Sequence, residues 1–102
     1  MLERDIESRS IKEIKRRWPG SECRKLNGYG YRSWPDRLIL LSGVVPFMIE
    51  FKRLGCGLTR GQEHQINKLR KLGVKVYVCQ MENEALEACV AEVAASSLPN
   101  RK

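Results

Sequence analysis

Val44-Val45-Pro46-Phe47-Met48-Ile49-Glu50-Phe51-Lys52 decides how this chain is read, because a nearly continuous apolar run of strand length carries a carboxylate and an ammonium at its end. Side chains alternate across a strand, so Val45, Phe47, Ile49 and Phe51 share one face, while Glu50 and Lys52 share the other. The first face suits a core. The second sets two opposite charges side by side, which by itself also fits a Glu/Lys pair on a solvated edge strand. Arg37 to Leu41 is a second strand-like run, and Ser42-Gly43 between the two is a two-residue hairpin signal, so 37–41 and 44–51 are expected to pair antiparallel. Pro46 weakens the start of the later strand, since proline donates no ladder hydrogen bond.

Upstream, Leu2, Ile6, Ile11, Ile14 and Trp18 recur at helical spacing until Pro19-Gly20, which predicts an amphipathic helix over 2–18. Residues 21–27 form a short strand candidate, and the glycines and proline of Gly28 to Pro35 mark a loop with three aromatics. Downstream, Thr59 and Gln62 start a second helix with Ile66, Leu69 and Leu72 as its buried stripe, and Gly73 closes it. Val74 to Cys79 alternates like a strand. A helix between two strands favours parallel addition to a sheet. A third helix is expected over about 83–95, with 96–102 as a loose tail. The expected order is α-β-β-β-α-β-α, an α/β fold with a mixed sheet flanked by helices in one domain over 1–95.

The whole chain of 102 residues suits a single core. No run approaches a bilayer span of ~20 apolar residues, and the charged start lacks a secretory signal, so the expectation is a cytoplasmic protein with no membrane partner. Four cysteines without a Cys-x-x-Cys pair read as buried thiols, and with a single histidine, His64, zinc and His-dependent nucleophiles are poorly supported. Any chemistry must run on carboxylates and lysine. A net charge of +7 favours a polyanionic partner, and the excess lies in the first 80 residues.

Three acids stand out against their surroundings. Glu50 interrupts an apolar strand, and Asp36 precedes the neighbouring strand, where a hairpin brings it near Glu50. Asp36 after Pro35 also suits a plain turn residue. Two carboxylates together attract a hard divalent cation such as Mg²⁺ or Mn²⁺. On the first helix, Glu3 lies only about 10° and Glu7 about 30° from the mean apolar direction, so at least one is expected to face the sheet. Glu3 in the first turn also suits the helix dipole.

Pro35-Asp36 followed, after a hairpin, by Glu50-Phe51-Lys52 resembles the PD-(D/E)xK nuclease signature. Glu3-Arg4-Asp5-Ile6-Glu7 before it and Leu58-Thr59-Arg60-Gly61-Gln62 after it are similar to the VRR-NUC branch, and the resemblance covers residues 3 to about 85. It implies a restriction-endonuclease-like core and a Mg²⁺- or Mn²⁺-dependent endodeoxyribonuclease. Asp36 and Glu50 would then ligate the metal, joined by the Phe51 carbonyl and Glu3, and Lys52 would position the attacking water. Gln62 would reach the site from the second helix, although Thr59-x-x-Gln62 is equally a capping box. Trp34, where such nucleases usually carry a small residue, is a departure from the pattern.

Lys25, Arg32, Arg53 and Arg60 lie near the acids in sequence and are placed to hold phosphates, while Tyr29, Tyr31 or Trp34 offer rings to an unpaired base. Stand-alone proteins of this kind resemble homodimers acting on branched DNA such as four-way junctions. An Ala-rich face of the third helix (Ala85, Ala88, Ala91, Ala94, Ala95) is the expected interface. Two other readings stand beside this one: a non-catalytic DNA-binding module with 59–73 as recognition helix, and a nuclease acting on RNA.

Overall fold

A computed structural model describes residues 2–26 and 32–96. Seven elements run α1 (Glu3–Arg17), β1 (Glu22–Lys25), β2 (Arg37–Leu40), β3 (Phe47–Phe51), α2 (Arg60–Lys71), β4 (Val76–Cys79) and α3 (Glu82–Ser96), the order expected from the sequence. The strands form one sheet in the order β1-β2-β3-β4. β1/β2 and β2/β3 pair antiparallel, and β4 adds parallel to β3, as the intervening helix α2 requires. Tyr29, Tyr31 and residues 97–102 lie outside the described residues.

β3 is buried along its whole length because both faces of the sheet are covered there. Phe47, Ile49 and Phe51 pack with Ile6, Ile11 and Ile14 of α1 and with Ala85, Ala88 and Cys89 of α3. On the opposite face Met48 packs with Ile66 and Leu69 of α2 and with Val76. Glu50 shares this second face, only 2% exposed. A solvated edge strand is therefore the wrong setting for the Glu50/Lys52 pair: β3 is an inner strand.

The β2–β3 connection departs from the simple hairpin. Ser42-Gly43 does form a turn, in which the Val44 N–H donates to the Leu41 carbonyl and Gly43 takes φ +73°. A two-residue hairpin would pair Leu41 with Val44, but the ladder pairs Ile39 with Phe47 and Arg37 with Ile49, one residue out of that register. Val45 and Pro46 stay outside the strand, and Val45 is 62% exposed instead of lining the core. The single-residue shift matters because side chains alternate: continued one rung beyond Arg37 and Ile49, the observed register would bring Asp36 opposite Glu50.

Other differences arise at element ends. Leu72 is the C-cap of α2 and is 73% exposed, so the buried stripe is Ile66 and Leu69 alone. Leu2 and Trp18 flank α1 instead of belonging to it, and α1 buries Ser10 with its isoleucines. Cys23, Cys79 and Cys89 are buried thiols, but Cys56 is only half-buried. On α3 the small residues are divided. Ala85 and Ala88 are spent inside the core and cannot belong to an outer interface, whereas Ala91, Ala94 and Ala95 are exposed.

Candidate active site

At the C-terminal ends of β3 and β4, where the sheet stops and the first turns of α1 and α2 approach, the acids converge. The Phe51 N–H donates to Asp36 Oδ2 at 2.8 Å, tying the carboxylate before β2 to the end of β3. The N–H and C=O of one strand residue leave on the same side, so the Phe51 carbonyl also faces the Asp36 side. The neighbouring Lys52 N–H turns the other way, to the Cys79 carbonyl at 2.9 Å. Glu50 Oε2 accepts from Gln62 Nε2 at 3.1 Å and lies 3.8 Å from Lys52 Nζ. Lys52 is itself 8% exposed, so both charges of the pair are out of water.

Gln62 fills both roles open to it. Its Oε1 accepts from the Thr59 N–H at 3.0 Å, while the Thr59 hydroxyl accepts from the Gln62 N–H at 3.2 Å, which completes the capping box. Its Nε2 remains to meet Glu50. The cap thus aims the amide at the carboxylate. Thr59→Ala should cost about 1 kcal/mol of stability, the usual value of a lost cap. Gln62→Ala should cost about 2 kcal/mol, because a buried acceptor loses its donor as well. Urea unfolding of both variants checks the ranking.

Burial pushes the Glu50 carboxyl up to about 8, the Asp36 charge adds to the rise, and the Lys52 ammonium opposes it. Asp36 is raised too, first by burial and then by the charges of Glu7 and Glu3, against the pull of the Phe51 N–H and Lys52. These are two desolvated carboxylates short of positive charge. Both offer oxygen donors, as a hard cation prefers.

Helix α1 turns one of its two candidate acids inward, as expected. Glu3 is exposed, although its charge is felt by both Asp36 and Glu50. Glu7 is the residue that turns inward, and Arg37 Nε holds it at 2.6 Å while Arg37 Nη1 donates to the Cys23 carbonyl at 2.7 Å. Sequence reading passed over Arg37, yet the signal was available: it shares a strand face with Ile39, where a charge needs a partner. Arg37→Ala should cost about 2 kcal/mol by stranding half-buried Glu7, measurable as a lowered denaturation midpoint.

Glu3, Glu7 and Asp36 line an open cleft of about 530 Å³ with Arg4, Arg53 and Cys56. Among the described residues no three His, Cys, Asp or Glu side chains form a group able to hold a metal ion. Two carboxylates and a carbonyl are nevertheless enough for Mg²⁺, which commonly takes one or two carboxylates and leaves other positions to water and phosphate. Of the residues expected to hold phosphates, Arg53 lines the cleft and Arg60 opens α2 beside Gln62; Lys25 and Arg32 are exposed. Trp34 instead packs under α2 with Met48 and Ile66. No helix of the described residues is long and apolar enough to cross a membrane. No family model matches the chain and no curated protein is significantly similar to it.

Proposed function

We infer that the chain is a Mg²⁺- or Mn²⁺-dependent endonuclease that hydrolyses phosphodiester bonds in DNA, with a restriction-endonuclease-like core of the VRR-NUC kind. The observation that carries this reading is the convergence at the end of β3, where Asp36 accepts from the Phe51 N–H at 2.8 Å, its charge acts on buried Glu50, and the Lys52 ammonium lies 3.8 Å from Glu50. Asp36, Glu50 and the Phe51 carbonyl would hold the metal. Glu3, exposed on α1, lines the cleft with Asp36. When bound, the ion supplies Lewis-acid charge that offsets the two carboxylates and favours hydroxide over water.

The chain's own groups complete the arrangement. Lys52 orients the attacking water and answers the negative charge that grows on the phosphoryl oxygens in the transition state. Gln62 fixes the Glu50 carboxylate so that its other oxygen stays directed toward Asp36. Arg53 and Arg60 receive flanking phosphates, and the surplus of basic residues draws the polyanion in. A homodimer would set two such clefts against two strands, as cleavage of a four-way junction requires.

Labelled four-way junction, flap and linear duplex DNA, with matched RNA, incubated in Mg²⁺ or Mn²⁺, test the reading. Cleavage of branched DNA is expected, with none in EDTA and none by Asp36→Asn. Tight DNA binding without cleavage by the wild type would sink the enzymatic reading in favour of a binding module. Preferential digestion of RNA would reassign the substrate.

A further inference from the structure

A second groove, of about 640 Å³, opens beside the catalytic cleft. Its apolar surface comes from Ile6 of α1, Leu54 after β3, Met81 before α3 and Leu86 within α3. Leu54 is 65% exposed and Met81 48%, so the groove presents apolar side chains to solvent. Arg9 and Arg53 stand on the same groove, and neither is in an ion pair among the described residues. Arg53 also lines the candidate catalytic cleft, so the two depressions are neighbours that share this residue. The one acid among the groove's lining residues, Glu82, sits in the first turn of α3.

Resting on the nuclease reading, we propose that this groove takes one unpaired base of the DNA strand being cut, with Arg9 and Arg53 on its flanking phosphates. The occupant follows from the chemistry of the walls. Apolar side chains beside two arginines match a flat base joined to a charged backbone, and an unpaired base enters at less cost than a paired one, which must also break its pairing. A phosphate bound at Arg53 is shared between groove and cleft, so the base in the groove belongs to a nucleotide next to the scissile bond. Glu82 repels the backbone that the arginines attract. The groove thereby gives a physical reason for preferring branched or frayed DNA: such substrates offer a base with no pairing to break.

The test uses the Asp36→Asn protein, which binds without cutting, and duplexes carrying one unpaired 2-aminopurine or, at the same place, a tetrahydrofuran abasic analogue. Binding should raise 2-aminopurine fluorescence as the base leaves its neighbours, and the analogue should bind roughly tenfold more weakly, the loss of one base contact. Met81→Glu should abolish the rise and bring the two affinities together; Leu54→Glu, at a more exposed position, serves as the second variant. Equal affinity for the two duplexes, or a rise that survives both substitutions, overturns the proposal. So does a fall in fluorescence, which stacking on an aromatic ring would give. Wild-type cleavage in Mn²⁺ is measured separately: its absence alongside an intact fluorescence response removes the nuclease reading and leaves the base site standing.

Discussion

Lys52→Met is expected to cleave DNA about 10²–10³-fold more slowly than the wild type under single-turnover conditions, the usual loss when one preorganised charge is removed from a site. The methionine keeps most of the side-chain volume in a position that is 8% exposed, so the fold should survive and DNA affinity should change little. A second effect separates this role from a structural one. The ammonium is among the groups that hold down the proton affinity of Glu50, which already sits at about 8. Without it the carboxyl moves higher, so the residual activity should rise with pH along a limb displaced toward alkali. A variant that cuts at the wild-type rate, or an unmoved limb, removes Lys52 from the chemistry.

Glu50→Gln should make the metal-free protein more stable at pH 8 by on the order of 3 kcal/mol, equivalent to ~10 °C or more in midpoint for a domain of this size. In the unfolded chain Glu50 titrates near 4.5, and in the folded one at about 8. Below the first value both states carry the proton. Between the two, the folded state keeps a proton that the unfolded state has released, so wild-type stability falls as pH rises through this window and levels off above it. Glutamine holds no such proton, keeps an oxygen for the Gln62 amide, and relieves the repulsion on Asp36. Thermal melts of both proteins in EDTA from pH 4 to 9 should converge at the acid end and diverge toward pH 8. Parallel curves would show that Glu50 titrates in the fold as it does in the unfolded chain. The same residue would then be destabilising to the fold and indispensable to the enzyme, the trade expected of a functional site.

Much of this architecture was legible because local pattern and global fold agree. The apolar stripe of α1, the Thr59/Gln62 start of α2 and the parallel return of β4 each follow from spacing, capping chemistry or connection length. The errors cluster where no local rule operates. Leu72 continues the helical stripe in sequence, but α2 stops at Lys71 and nothing covers the next side chain. Val45 obeys the strand alternation, yet Pro46 keeps it out of the ladder. For the candidate site, residue identities were readable while partnerships were not. Gln62 was a cap or a site residue on paper and is both in space, because an amide has a separate acceptor and donor to give.

The assignment of Glu7 shows the same division more sharply. Helical arithmetic turns both Glu3 and Glu7 toward the sheet, but only the packing decides that Arg37 claims Glu7 while Glu3 stays in water. By itself the sequence determined the order of elements, the faces of β3 and the presence of acids where apolar neighbours make them costly, since these depend on backbone periodicity and on residue chemistry. Only the tertiary structure decided the register that brings Asp36 toward Glu50, the burial of both sheet faces, and the apolar groove that shares Arg53 with the cleft. Those depend on contacts between segments far apart in the chain, whose energies no local spacing records.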